Sequence, residues 1–236
     1  MKRILVVGSE GLIGKEIQRI LYSNYNLICL DKQIKRENQE TGIIDIECDI
    51  TDKEELNAAY CKIKENKISI DGIVFAAGVT NKDSFFSLHR NSINEVIDVN
   101  VNSIIYVLKR LYDLLSLKVS IVCIASQNGC IGHEDRIIYG PSKAAIIQLV
   151  KNLTVDFTKY SNINLKINAI SPGYIQDSYN EQFFATYPGK KYLERNPYEK
   201  LVKPLEVANI IQFLLSDKSD GIRGQNIAVD YGYTII

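Results

Sequence analysis

The sequence predicts an α/β protein: a doubly wound parallel sheet of about seven strands with helices on both faces, in one domain over 1–236. Three observations predict it. Short, nearly pure apolar runs rich in Val and Ile alternate with stretches of helical apolar spacing. The runs do not alternate polar with apolar, as strands buried on both faces of a parallel sheet do not. A glycine-rich turn directly follows the first run and opens the first helical stretch.

The elements follow in order. Residues 4–7 form a short β-branched run ending at Gly8, and 12–21 carry Leu12, Ile13, Ile17, Ile20 and Leu21 at helical spacing. Further strands are expected at 27–30, closing at Asp31, and at 43–46 with Cys48. Thr51, with Glu54 three residues on, has the pattern of a capping box for a helix to about Lys64. A fourth strand is expected at 70–77. A long helix is expected at 93–117, since Val96, Ile97, Val101, Ile104, Ile105, Leu108, Leu111 and Leu115 fall on or near one face. Strands at 119–125, 165–170 and 227–229 and helices at 141–157 and 204–215 complete the pattern, the last helix with Pro204 in its first turn. The segment 176–203, rich in aromatics and carrying Pro188, Gly189 and Pro197, reads as a long loop, and loops of such length are usually functional.

Composition excludes several classes. Basic and acidic residues balance at 28 each, so a nucleic-acid surface is not expected. No window approaches the ~18 consecutive apolar residues that span a bilayer. The apolar run at the N-terminus is too short for a secretion signal and is interrupted by Gly8, Glu10 and Lys15. The five cysteines are odd in number and form no C-x-x-C pair. A reduced, cytoplasmic setting fits, and a metal site is not expected.

The segment Gly8-Ser9-Glu10-Gly11-Leu12-Ile13-Gly14 sits where a dinucleotide-binding turn would. There, glycines let the backbone turn tightly beside a pyrophosphate and the helix N-terminus stabilises its charge. Asp31, 20 residues after Gly11, stands where a carboxylate accepts bonds from the adenosine ribose. The fold is therefore expected to be Rossmann-like. Asp31 and Glu10 would repel a ribose 2′-phosphate, and no Arg or Lys lies between Gly8 and Gly14, so NAD is favoured. NADP is the alternative because Lys32, Lys35 and Arg36 follow.

Tyr139 and Lys143 are four residues apart at the mouth of an apolar helix, and Ser126 follows an apolar strand. Residues i and i+4 share a helical face. An ammonium ~5 Å from a phenolate at an effective dielectric of ~20 favours the ion by roughly 3 kcal/mol, a little over ~2 pKa units. Lys143 is thus expected to lower the Tyr139 pKa toward the range of a general acid/base.

In order and spacing these motifs resemble those of the short-chain dehydrogenases/reductases. Beside the glycine turn they include Asp49 after the third strand, Ala76-Ala77-Gly78 after the fourth and Asn100 in the long helix. Ser126, Tyr139-Gly140-Pro141-Ser142-Lys143 and Pro172-Gly173 complete them. The resemblance implies that Tyr139 exchanges a proton with the substrate oxygen and that Ser126 hydrogen-bonds the same oxygen. It implies that Lys143 also binds the nicotinamide ribose and that Asn100 holds a water linking Lys143 to solvent. Asp49 and Ile50 would contact adenine, Ala76, Ala77, Gly78, Pro172 and Gly173 would border the cofactor, and Ile175 would meet its carboxamide. It also implies a homodimer or homotetramer through the long helix and the helix after Tyr139.

Some positions depart from the pattern. The glycine spacing is closer to that of the longer, sugar-nucleotide-modifying branch. Phe75 and Ala76 replace two asparagines, and Asp177 stands where a threonine often caps the cofactor. His133 reads as a loop histidine and His89 as a surface residue. The leading expectation is an NAD-dependent enzyme interconverting a secondary alcohol and a ketone of a small-molecule substrate. The alternatives are a nucleotide-sugar epimerase or dehydratase that retains NAD, and a non-catalytic dinucleotide sensor. Lys190, Lys191 and Arg195 are candidates for an anionic substrate group, against a reading as a solvated charge cluster.

Overall fold

The computed structural model describes residues 1–35 and 42–235. Arg36, one of the cations weighed for NADP, lies outside the described residues. In chain order the elements are β1 (Arg3–Val7), α1 (Leu12–Leu21), β2 (Asn26–Asp31), β3 (Ile43–Glu47), α2 (Lys53–Glu65), β4 (Ile70–Phe75), α3 (Arg90–Ile97) and α4 (Ser103–Arg110). They continue as β5 (Leu115–Ile124), α5 (Tyr139–Tyr160), β6 (Asn164–Pro172), α6 (Ser178–Ala185), α7 (Tyr187–Leu193), α8 (Pro204–Leu215) and β7 (Asn226–Val229).

The seven strands form one sheet in the order β3-β2-β1-β4-β5-β6-β7, and every pairing is parallel. The order reverses between β1 and β4, and the crevice outside the carboxyl ends of these strands is where such sheets bind ligands. The strands alternate between two cores. In β1, Leu5 and Val7 face a cluster with Leu56, Ile63, Val107 and Val150 from α2, α4 and α5. Ile4 and Val6 face a second cluster with Ile17 and Leu21 of α1 and Val207, Ile211 and Leu215 of α8. Alternate burial on both faces explains why the strand sequences are apolar throughout. Cys29, Cys48 and Cys123 are buried in these layers. Among the described residues, no helix is long and apolar enough to cross a membrane.

Four local expectations are corrected. The long helix expected at 93–117 is α3, a π turn over Asp98–Asn102, and α4. It begins earlier, at Arg90, and Leu111 closes it. Leu111 and Leu114 are still buried, so the apolar period is met. Leu115 instead pairs with Ile70 and starts β5 well before the expected residue 119. The cap of α2 is Asp52, not Thr51: its carboxylate accepts from the amides of Glu54 (2.8 Å) and Glu55 (2.9 Å). An anion serves a helix N-terminus better than a hydroxyl, and the Thr51 hydroxyl donates to Asp49 Oδ1 at 2.6 Å. Helix α5 starts at Tyr139 rather than 141, with Pro141 still in its first turn. The expected loop at 176–203 contains α6 and α7. Asp177 caps the first, and Thr186 caps the second with Pro188 in its opening turn.

Candidate active site

A cleft of about 560 Å³ opens at the carboxyl ends of β1, β2 and β4. Gly8 adopts φ +82°, and a Cβ there would lie 2.3 Å from the Ala77 nitrogen. The β1–α1 turn can therefore pack on the β4 exit only with glycine at position 8. Gly14 packs as tightly: its Cβ would fall 2.1 Å from the Gly8 carbonyl oxygen. Gly11 has no such constraint, and its amide donates to the Gly8 oxygen at 3.3 Å. No side chain caps α1. The first-turn amides of Leu12, Ile13 and Gly14 have no intrahelical acceptor and remain for an anionic ligand.

Asp31 borders this cleft, and its Oδ2 accepts from the Glu10 amide at 2.8 Å, tying the glycine turn to the end of β2. The Glu10 carboxylate is balanced by Lys15, just beyond the glycine segment, at 3.4 Å. Asp49 and Ile50 line the far side of the cleft. Lys32 reaches across to Asp49 Oδ2 at 2.8 Å. Burial pushes the Asp49 carboxyl up, but the bonds from Lys32 and Thr51 outweigh it and hold it at about 2. Ala76, Ala77 and Gly78 form the near wall. Leu12 is exposed and Gly14 is buried behind the turn, so what they offer the cleft is backbone amides rather than lining surface.

A cavity of about 200 Å³ continues from this cleft and brings Ser126, Tyr139 and Lys143 together. Ile13, Ala76 and Gly78 border it on one side and Pro172, Gly173 and Ile175 on the other. Gly78 leaves room for the neighbouring side chains, since a Cβ there would lie 3.2 Å from Lys143 Nζ and 3.3 Å from Asn100 Oδ1. Asn100 lies below the cavity, in the π turn. Its Oδ1 accepts from the Val79 amide at 2.9 Å, and its Nδ2 donates to the Val79 carbonyl and to Ser142 Oγ, both at 3.0 Å. One buried amide thus joins the β4 exit to α5 beside Lys143. π turns recur at functional sites.

The expected lowering of the Tyr139 pKa is corrected. Burial of the phenol is the largest influence and pushes it up, with Ser126 and the Arg136 charge pulling the other way. Lys143 is itself buried, donates to the Ile124 carbonyl at 2.9 Å, and is held down to about 8 by burial. Its ammonium lies 5.7 Å from the centre of the Tyr139 ring. The i, i+4 spacing delivers proximity, but the strand carbonyl takes the ammonium's hydrogen bond.

Beyond Tyr139 lies a further cavity of about 520 Å³, walled by Tyr174, Phe183, Phe184 and Tyr192. Ser126 and Tyr139 face both cavities. His133, read from sequence as a loop histidine, lines this cavity: Nε2 lies 2.8 Å from the Tyr174 hydroxyl and the ring stacks on Tyr192. No spacing signal marks it. Arg136 and Lys82 also line the cavity, whereas Lys190, Lys191 and Arg195 do not. Lys191 and Arg195 lie instead over the rings of Tyr187 and Tyr192. Asp177 lines the cavity too, but its Oδ1 accepts from the Asn180 amide at 2.6 Å, so it serves as the α6 cap. His89 is an exposed residue preceding α3.

Residues 20–234 match the profile of a family described as enoyl-(acyl carrier protein) reductase, of the short-chain dehydrogenase type. The chain belongs to the short-chain dehydrogenase/reductase family. It is 26% identical to the 3-oxoacyl-[acyl-carrier-protein] reductase FabG of Thermotoga maritima, over 99% of this chain and 98% of that protein. It is 30% identical to the oxidoreductase UcpA of Salmonella typhimurium, over 99% and 95%. Among solved structures, a short-chain dehydrogenase family protein from Francisella tularensis superposes over the whole of both chains, with TM-score 0.89 and 31% identity. A 4-hydroxyisoleucine dehydrogenase complexed with NADH gives 0.88 and 26%, again over the whole of both. ElxO with NADP bound gives 0.86 and 26%, over 100% of this chain and 99% of that one. A short-chain dehydrogenase/reductase is an NAD(P)-dependent oxidoreductase, and the Rossmann-like fold expected from the sequence is the one observed.

Proposed function

We propose that the protein interconverts a secondary alcohol and a ketone with NAD(H), using Tyr139 as general acid/base. The observation that carries this reading is that Ser126 and Tyr139 stand at the junction of the nucleotide cleft and the aromatic cavity, with Lys143 behind them. The nicotinamide supplies or accepts the hydride when bound. The protein supplies position and proton transfer. Uncapped amides at the start of α1 receive the pyrophosphate. Asp31 takes the ribose hydroxyls, and Asp49 with Ile50 receives the adenine. Pro172, Gly173 and Ile175 border the nicotinamide.

Burial keeps the Tyr139 phenol protonated at neutral pH, which suits it to donate a proton to a ketone oxygen as the alkoxide forms. In the reverse direction it must first lose that proton, so oxidation gains with rising pH. Ser126 shares the substrate oxygen. Asn100 fixes the backbone beside Lys143 and holds the water through which Lys143 exchanges protons. Lys32 is engaged by Asp49, and Asp31 repels a 2′-phosphate; both favour NAD over NADP. Exposed Tyr106, Tyr112, Val155 and Tyr160 on or beside α4 and α5 support a homodimer or homotetramer, which sedimentation at micromolar concentration tests.

Separate titrations with NADH and NADPH test cofactor choice, with NADH expected to bind at least about tenfold more tightly, as one unfavourable charge contact would give. Tyr139→Phe is expected to keep NADH affinity and lose roughly 10²–10⁴-fold in turnover. Full turnover in that variant would remove the proposed role of the phenol.

A further inference from the structure

The geometry points to a carboxylate-bearing substrate, a hydroxy acid or its keto partner, whose acid group is received by Arg136 while its reacting oxygen meets Tyr139. This rests on the alcohol–ketone reading above and names the substrate class of the same cavity.

Arg136 is half-buried and lines the aromatic cavity together with Ser126 and Tyr139. Its carbonyl accepts from the Gly140 amide at 2.9 Å, so it stands in the turn that leads into α5. The backbone thereby fixes its position relative to the phenol three residues on. One guanidinium nitrogen, Nη1, is used: it donates to the carbonyls of Asp135 at 2.8 Å and Asn81 at 3.4 Å. Among the described residues, the edge formed by Nε and Nη2 has no hydrogen bond, and the guanidinium forms no ion pair. That edge is the one that grips a planar carboxylate through two parallel bonds.

The other charges around the cavity do not satisfy it. Asp135 offers Arg136 its backbone oxygen, and Glu134 offers its backbone oxygen to His133. Asp177 caps α6. Asp83 pairs with Arg136 through the backbone; among the described residues its carboxylate makes no ion pair with the guanidinium, and its Oδ2 is buried without a hydrogen-bond partner. Lys82, the cavity's other cation, donates to the Tyr179 hydroxyl at 2.6 Å and lies over that ring. Among the described residues, no carboxylate meets the open guanidinium edge. Burial pushes the phenols of Tyr139 and Tyr174 up, and the Arg136 charge opposes it at both. In the same cavity Tyr174, Phe184 and Tyr192 offer rings for an apolar body, and about 520 Å³ suits a small molecule.

The test is calorimetric titration of the protein, with and without NADH, using benzoate, benzamide and phenyl phosphate. Benzoate and benzamide have nearly the same shape and differ in charge. Benzoate is expected to bind at least about tenfold more tightly than benzamide, the scale of a charge-assisted bidentate contact. Arg136→Gln should erase that difference, and Arg136→Lys should keep part of it. An unchanged NADH affinity and melting temperature in Arg136→Gln would show an intact fold. With a hydroxy-acid substrate, Arg136→Gln should raise KM at least about tenfold while kcat stays within a few-fold. Equal binding of benzoate and benzamide, or discrimination that survives Arg136→Gln, would overturn the proposal. Phenyl phosphate binding tenfold more tightly than benzoate would overturn the carboxylate in favour of a phosphate. The binding measurements need no turnover, so failure of the oxidoreductase reading would show separately, as no nicotinamide absorbance change with any alcohol or ketone.

Discussion

Replacing Lys143 by methionine should make the protein more stable while destroying its activity. The Lys143 ammonium is buried and held at about 8 rather than the ordinary 10.5. At pH 7, linkage converts that difference into a cost of about 3 kcal/mol, at ~1.36 kcal/mol per unit. The hydrogen bond to the Ile124 carbonyl recovers some of it, about 1–2 kcal/mol. Methionine fills similar space without a charge, so Lys143→Met should gain about 1–2 kcal/mol at pH 7. The sign follows from proton counting. Between about 8 and 10.5 the unfolded chain holds more protons at this site than the folded protein does. Wild-type stability therefore rises with pH through that window, and the variant lacks this rise. The variant's advantage should shrink by about 2 kcal/mol between pH 7 and pH 9.5. Urea unfolding followed by far-UV circular dichroism measures this, since the chain contains no tryptophan. Parallel pH profiles, with no gain in the variant at pH 7, would refute the reasoning that burial of this ammonium is unfavourable.

Two further substitutions probe the scaffold of the site. Gly8→Ala forces a Cβ to within 2.3 Å of the Ala77 nitrogen at φ +82°, and should cost roughly 2–4 kcal/mol in urea unfolding and weaken NADH binding. Asn100→Ala leaves the Val79 amide and carbonyl without their side-chain partners. It should cost roughly 2–4 kcal/mol and lower kcat more than it raises the Kd for NADH, measured by stopped-flow and fluorescence titration.

Much of this molecule is legible in its sequence, for identifiable reasons. The strands buried on both faces leave unbroken apolar runs, so all seven were locatable, and α1 and α8 have the expected bounds. Asp31, Ser126 and Tyr139 sit at element ends, where a parallel sheet gathers residues distant in sequence into one crevice. What sequence hides is equally specific. Across the π turn at Asp98–Asn102 the buried positions Val96, Asn100, Ile104, Val107 and Leu108 keep helical spacing, so two helices read as one. Leu115 fits that period equally well as a strand residue paired with Ile70. Pro188 and Gly189 suggest a loop, yet both fit the opening turn of α7 behind the Thr186 cap. The Tyr139–Lys143 spacing correctly predicts proximity but not the electrostatics, because the Ile124 carbonyl competes for the ammonium. Nothing around Arg136 marks it beforehand; its open edge is visible only once its neighbours' partners are known.

The surplus residue at Asp98–Asn102 has a consequence for how the chain tolerates change. The π turn absorbs one residue more than a regular helix would over the same span. Removing a residue there would let the segment close as one regular helix, with the loss taken up inside the turn and Asn100 displaced within it. Asn100 would then lose its grip on Val79 even if its identity were kept. Here the count of residues carries information that their chemistry does not.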